Sequence, residues 1–180
     1  MKNLLAALVF LLPFIAQAQS PGYGYKAEDK YLYYNDVLKT DTSFTVKDLY
    51  KDAKLFMTKL ALTNVNLTTD DKDGGTVVAD VQEPATFKNA VGIGNEPMTL
   101  KYTIKLELKK GRYRYTFDNI IITYEDNGKN TPHTLYDLDK SASGILGNPR
   151  SKRILKAMDG LFTSKITLLT NTMSKRSDDF

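Results

Sequence analysis

Apolar and polar residues alternate without a break from Met98 to Lys109. Leu100, Tyr102, Ile104, Leu106 and Leu108 share one face, and Thr99, Lys101, Thr103, Lys105, Glu107 and Lys109 share the other. A period of two held this long predicts a strand with one dry face and one wet face. Lys110-Gly111 predicts a two-residue hairpin turn, with Arg112 to Glu125 as the returning strand. That register sets Leu108 opposite Tyr113, Leu106 opposite Tyr115 and Ile104 opposite Phe117 on the dry side. Glu107 falls opposite Arg114 on the wet side, a pair worth roughly a few tenths of a kcal/mol. After Phe117 the parity changes, because Ile120, Ile122 and Tyr124 follow the opposite phase to Tyr113, Tyr115 and Phe117. One extra residue near Asp118-Asn119 restores a single apolar face, so a β-bulge and a bent sheet are expected there. The alternative is that Ile121 turns to the core and both phases are partly buried.

The remaining pattern supplies the other elements. Tyr31 to Leu38 is a strand candidate rich in Tyr and Leu. Thr45 and Asp48 have capping-box spacing, with Phe44 and Leu49 flanking them as a staple. Val46, Leu49, Ala53, Phe56, Met57 and Leu60 then recur at steps of three and four, which predicts an amphipathic helix to about Leu62. Two shorter alternating runs, Val65 to Asp70 and Val77 to Gln82, are joined by the turn Asp70-Asp71-Lys72-Asp73-Gly74-Gly75. Pro84 to Pro97 reads as a loop. Asp126-Asn127-Gly128 ends the long hairpin, and Lys129 to Gly147 reads as irregular, with a short element at Thr134 to Leu138. Asn148-Pro149 opens a second helix, Asn as cap and Pro in the first turn. Ile154, Leu155, Met158, Leu161, Phe162, Ile166, Leu169 and Met173 form its apolar stripe. The order is strand, helix, four strands, helix. A single α+β domain over residues 31–173 accounts for it: a curved five-stranded antiparallel sheet with both helices on one face. Residues 19–30, with Pro21, Gly22 and Gly24, read as a flexible lead-in, and residues 174–180 as a polar tail.

Composition narrows the chemistry. The 180 residues are 42% hydrophobic, enough for one packed core and too apolar for a disordered chain. Basic residues number 25 against 21 acidic, a net charge of +4 that is far from a histone-like excess. The absence of Cys rules out disulfides, thiolate zinc sites, iron–sulfur clusters and a thiol nucleophile. A single His rules out a multi-His metal site. Residues 1–18 read as a secretory signal peptide: Lys2, an apolar run from Leu4 to Ile15, and Ala16-Gln17-Ala18 as the small-x-small cleavage site. The run is short for a membrane span, and no Cys follows it to carry a lipid. The expected location is therefore periplasmic or secreted, after cleavage following Ala18.

Several segments together resemble a family of secreted bacterial domains, domain-of-unknown-function family 4468, described as having a TATA-box-binding-protein-like (TBP-like) fold. They are Thr45-Val46-Lys47-Asp48-Leu49-Tyr50 with Ala53-Lys54, the Asp71-Lys72-Asp73-Gly74-Gly75 turn, Leu100 to Glu107, and above all Lys110-Gly111-Arg112-Tyr113-Arg114-Tyr115-Thr116-Phe117. The resemblance spans Leu32 to Glu125. It implies a TBP-like fold and supplies no catalytic residues. Gly75 departs from a family turn that carries a single Gly.

Candidate chemistry is sparse. Thr69, Asp71, Asp73, Gly74 and Asp80 can be laid on a calcium-loop template, but Thr replaces the first carboxylate and the flanks read as strands, so the segment reads as a hairpin turn. Gly92-Ile93-Gly94 lacks the third Gly and the helix of a dinucleotide loop. His133 has Asp137 and Asp139 nearby in sequence, but no Ser sits in a nucleophile-elbow setting, and it reads as a surface loop residue. The C-terminal helix carries Lys152, Arg153, Lys156 and Lys165 on its polar side; docking on a membrane surface is the rival to packing on the sheet. The wet face of the hairpin gathers Lys101, Lys105, Lys109, Arg112 and Arg114. Nucleic acid is not the expected partner, because the hairpin aromatics point to the dry side and leave none for stacking. The expectation is an exported, non-catalytic binding or assembly module of the bacterial cell envelope, with no cofactor or metal. An unknown envelope protein or ligand is its partner, met by Lys101, Lys105, Arg112 and Arg114, by the strand edges or by the Pro84 to Pro97 loop. The rival classes are a hydrolase or carbohydrate-active enzyme with an unrecognised carboxylate site, and a peripheral membrane protein using the basic helix.

Overall fold

A computed structural model describes residues 24–60, 64–144 and 146–174. The expected signal peptide (residues 1–18) and the expected tail beyond Ser174 lie outside these residues. The order is β1 (Lys26–Glu28), β2 (Tyr31–Lys39), α1 (Val46–Lys59), β3 (Asn64–Asp71), β4 (Thr76–Lys88), β5 (Asn95–Lys109), β6 (Arg112–Asp126), β7 (Lys129–Thr134), α2 (Leu135–Ala142) and α3 (Pro149–Met173). All strand pairs are antiparallel, in the spatial order β1-β2-β6-β5-β4-β3. β7 also pairs with β6, beyond the end of β2, so β2 and β7 lie end to end along one flank of β6.

The β5–β6 hairpin is the part fixed most locally. Leu108 faces Tyr113, Leu106 faces Tyr115, Ile104 faces Phe117 and Glu107 faces Arg114, as the alternation requires. Gly111 supplies the left-handed backbone the turn needs, with φ +71°. The bulge also forms. Lys101 faces Ile121 while Thr103 faces Asp118, so β6 carries one extra residue, and Asn119 takes φ +51° to accommodate it. Ile120, Ile122 and Tyr124 are buried whereas Ile121 is 38% exposed, which decides between the two phases.

The helices seal one face of the sheet. Thr45 and Asp48 form both halves of the capping box at the start of α1. Leu49, Ala53, Phe56 and Met57 are buried, with Leu60 just past the helix end. The Asn148 side chain accepts from the backbone N–H groups of Arg150 and Ser151, with Pro149 at the first helical position of α3. Phe162 at the middle of α3 stacks on Tyr34 of β2 at 4.5 Å and meets Tyr102 and Phe117 edge-on, both at 5.3 Å. Four elements from distant parts of the chain thus converge on one aromatic cluster, and burial of such rings dominates core energetics.

Several expectations need correction. Among the described residues the sheet has seven strands rather than five, and three helices pack on it rather than two. The Pro84 to Pro97 segment is not a loop: β4 runs on to Lys88 and β5 starts at Asn95, leaving residues 89–94 as the connection. Both prolines fall where one flank has no partner. The β3 pairing ends at Gln82, and the β6 pairing starts at Met98, so a missing N–H breaks no ladder there. Residues 129–147 hold β7 and α2. The latter opens with a second capping box, Thr134 with Asp137. Residues 26–28, within the expected flexible lead-in, pair with β2. Two side chains hold that segment down: Asp159 accepts from the Gly24 N–H at 2.7 Å, and Asp139 accepts from the Tyr25 hydroxyl. α1 stops at Lys59, short of Leu62.

Candidate functional site

Every buried side chain of β4 to β6 faces the helices, so the opposite face of the sheet is left half-buried or exposed. Strand pairing sorts that outer face into rows. At the hairpin end Lys39, Arg112 and Lys109 stand directly opposite one another on β2, β6 and β5. The next row is Val37, Arg114, Glu107 and Thr76, and the one after it Asn35, Thr116, Lys105 and Val78. Asp118, Thr103 and Asp80 follow, and then Ile121, Lys101, Gln82 and Asn64.

The charges on this face are unevenly neutralised. Glu107 is shared: Lys105 Nζ lies 3.2 Å from one of its oxygens and Arg114 3.7 Å from the other. Among the described residues no carboxylate pairs with Lys39, Lys109 or Arg112, so three like charges face each other across three strands. Such an arrangement opposes sheet pairing rather than supporting it. The Thr40 N–H donates to the Gly111 carbonyl at 2.9 Å, which pins the end of β2 to the hairpin turn and holds the three cations together. A depression of about 170 Å³ opens among Val37, Glu107, Lys109, Arg112 and Arg114.

The middle of the face has a different character. A shallow hollow of about 370 Å³ is lined by Asn64, Asn66, Gln82, Lys101, Thr103 and Asn119, with Asp80 at its wall. Asn119 Nδ2 donates to Thr103 Oγ1 at 3.3 Å, and Thr103 in turn donates to Asp80 at 2.8 Å. Asp118, on the other side of Thr103, has a buried Oδ1 without a hydrogen-bond partner. Burial pushes its carboxyl above the usual carboxylate range; Lys105 pulls it down and Asp80 pushes it up.

Lys101, Lys105, Arg112 and Arg114 therefore all lie on the outer face, but not as one patch. Lys101 belongs to the amide-lined hollow, Lys105 and Arg114 share Glu107, and Arg112 belongs to the unpaired row. Lys39 completes that row. The sequence signal for it is weak, a Lys one residue past the expected strand whose neighbour is set by the β2–β6 pairing.

The other candidates are placed as follows. Asp70 accepts from the Tyr50 hydroxyl at 2.5 Å and from Lys54 at 2.7 Å, and these bonds hold its carboxyl below the usual range. Asp71 accepts from the Gly74 N–H at 2.8 Å. Asp70 thus ties the end of β3 to α1 while Asp71 closes the turn, and among the described residues no group of three His, Asp or Glu side chains is gathered for a metal. His133 is not on a loop but on β7, half-buried and stacked on Tyr124 at 4.6 Å. Of the α3 cations, Arg153 donates to the Lys88 carbonyl at 3.0 Å. Lys165, expected on the wet side, is largely covered: its Nζ lies 2.8 Å from both oxygens of the buried Glu83 and 5.7 Å from the centre of the Tyr102 ring. The Tyr102 hydroxyl lies against Glu83 without a well-aligned hydrogen bond, and burial together with that negative charge pushes its ionisation strongly upward.

A family model described as "Domain of unknown function (DUF4468) with TBP-like fold" matches residues 34–123. Among solved structures, a DUF4468 family protein from Bacteroides ovatus ATCC 8483 superposes with a TM-score of 0.71 at 11% identity, covering 87% of this chain and 94% of that one. A TBP-like protein from Parabacteroides distasonis ATCC 8503 superposes with a TM-score of 0.59 at 16% identity, covering 81% and 97%. No curated protein matches the sequence. At these identities the two structures establish the fold.

Proposed function

The chain belongs to the DUF4468 family with its TBP-like fold, and from that premise we propose that it is an exported, non-catalytic binding or assembly module of the cell envelope that meets its partner with the outer face of the sheet. The observation that carries this reading is the asymmetry of the sheet. One face is sealed by three helices, and the other presents strand-spaced cations, amides and hydroxyls to solvent. Export is supported by the leader-like residues 1–18. Among the described residues no helix is long and apolar enough to cross a membrane. The basic helix is the weaker docking candidate, because Arg153 and Lys165 are bound to β4. Nucleic acid is disfavoured as a partner, since Tyr113, Tyr115 and Phe117 are buried and no hairpin aromatic is left for stacking on bases.

The test is site-specific photo-crosslinking in intact cells of the source organism. A photoreactive residue replaces Lys101 or Arg114 on the outer face, or Lys156 on the exposed side of α3. Discrete adducts from the first two positions, found in the envelope fraction and absent with the third, are the expected result. Adducts from position 156 alone, equal labelling from all three, or none from 101 and 114 overturn the reading.

A further inference from the structure

We propose that the hairpin end of the outer face is a phosphate site, in which Lys39, Arg112 and Lys109 together hold one phosphoryl group and Arg114 flanks it from the next row. The inference rests on the outer-face reading and names the chemistry of one part of that face.

Three observations support it. The first is the uncompensated charge. Residues directly opposite on neighbouring strands sit about 5 Å apart at Cα, and here three cations occupy such positions without an acid between them. Glu107, the acid nearest in the register, is already engaged by Lys105 and Arg114. An anion placed over Arg112 turns mutual repulsion into attraction on both sides.

The second is rigidity. Fraying of β2 would let Lys39 move away and relieve the repulsion, but the Thr40–Gly111 hydrogen bond ties the strand end to the turn. Gly111, at φ +71°, fixes the turn that sets Lys109 opposite Arg112. The backbone positions of the three cations are therefore fixed before any ligand arrives, which lowers part of the ordering cost of binding.

The third is size and valence. The depression beside Arg112 is about 170 Å³, room for a small anion and not for a folded partner. Lys109, Arg112 and Arg114 line it with the already engaged Glu107 at its wall, and Lys39 stands just outside it on the other flank of Arg112. A single carboxylate supplies one negative charge to three cations. A phosphate ester carries about −1.5 to −2 at neutral pH and offers three terminal oxygens as acceptors. Arg112 can bind two of those oxygens with its planar fork while the lysines act as point charges. The same chemistry is offered by a soluble phosphate ester and by a phospholipid headgroup.

The test is an NMR titration of the full mature chain at constant ionic strength, following backbone amides. Inorganic phosphate is expected to give saturable shifts at Lys39, Lys109, Gly111 and Arg112, while acetate gives shifts at least tenfold weaker at equal concentration. Arg112→Gln is expected to weaken the phosphate response at least tenfold, and Lys156→Gln to leave it unchanged. Both side chains are exposed, and an unchanged spectrum elsewhere verifies the fold. Glucose 1-phosphate and vesicles containing phosphatidic acid in a neutral lipid then identify the source. Competition by the sugar phosphate assigns a soluble ester, and Arg112-dependent binding to the vesicles alone assigns a headgroup. Non-saturating shifts with every phosphate probe, an acetate response equal to that of phosphate, or a response unaltered by Arg112→Gln overturns the proposal. That outcome leaves crosslinking from position 101 untouched, so the two readings fail separately.

Discussion

Asp118 shows how one residue can work against the fold it sits in. Its Oδ1 is buried without a hydrogen-bond partner, and its pKa is raised by burial, lowered by Lys105 and raised again by Asp80. A carboxyl whose folded pKa is raised costs stability once it ionises. The cost is absent below the unfolded value near pH 4, grows as pH rises through the folded value, and is complete above it. Asp118→Asn removes the ionisable group. The variant should therefore be more stable than the parent chain at pH 7 to 8, and the gain should vanish below about pH 4. Urea unfolding at both ends of that range measures it; a difference that does not change with pH would contradict the assignment. The extra residue next to Asp118 was readable, because the apolar phase of β6 changes at that point. The left-handed backbone at Asn119 was less so, since Asn tolerates a positive φ better than other non-Gly residues but does not require one.

At the level of elements, α3 is anchored to β4 by charge as well as by grease. Lys165 and Glu83 are both nearly buried and lie within 2.8 Å of each other. Removing one partner of such a pair strands the other, which typically costs about 3 to 5 kcal/mol, while replacing both by apolar side chains of similar size is often neutral or better. Lys165→Met alone should destabilise by that order, and Glu83→Leu with Lys165→Met should recover most of the loss in denaturant unfolding. A double variant as weak as the single would indicate that packing rather than charge decides the site. The helix itself was legible, from Asn148-Pro149 and the stripe from Ile154 to Met173. The role of Lys165 was not. It occupies the polar flank of that stripe, and its partner stands 82 residues earlier in the chain. The same limit applies to α2 and β7. Thr134 and Asp137 repeat the spacing of Thr45 and Asp48, but only eight residues of helix follow them, too few for a periodic stripe to emerge. β7, Lys-Asn-Thr-Pro-His-Thr, has no apolar alternation because it borders the sheet instead of crossing the core.

On the scale of the whole molecule, the family fold follows from patterns within single hairpins, whereas the site depends on which hairpins become neighbours. The dry face of β5 and β6 can be read from alternation alone. The cationic row needs β2 beside β6, a pairing that brings Lys39 next to Arg112 across more than seventy residues, and no local pattern encodes it. The arrangement along β6 has one further effect. β2 is paired with it as far as Phe117 and β7 takes over at Ile121, while the bulge leaves Asn119 and Ile120 without a partner on β5 as well. This 15-residue strand is thus perforated at its centre. Hydrogen exchange should start there instead of creeping in from the ends, with the amides of Asn119 and Ile120 taking up deuterium well before those of Tyr115 and Tyr124. Uniform protection along the strand would show that the gap between its two companions is closed in solution.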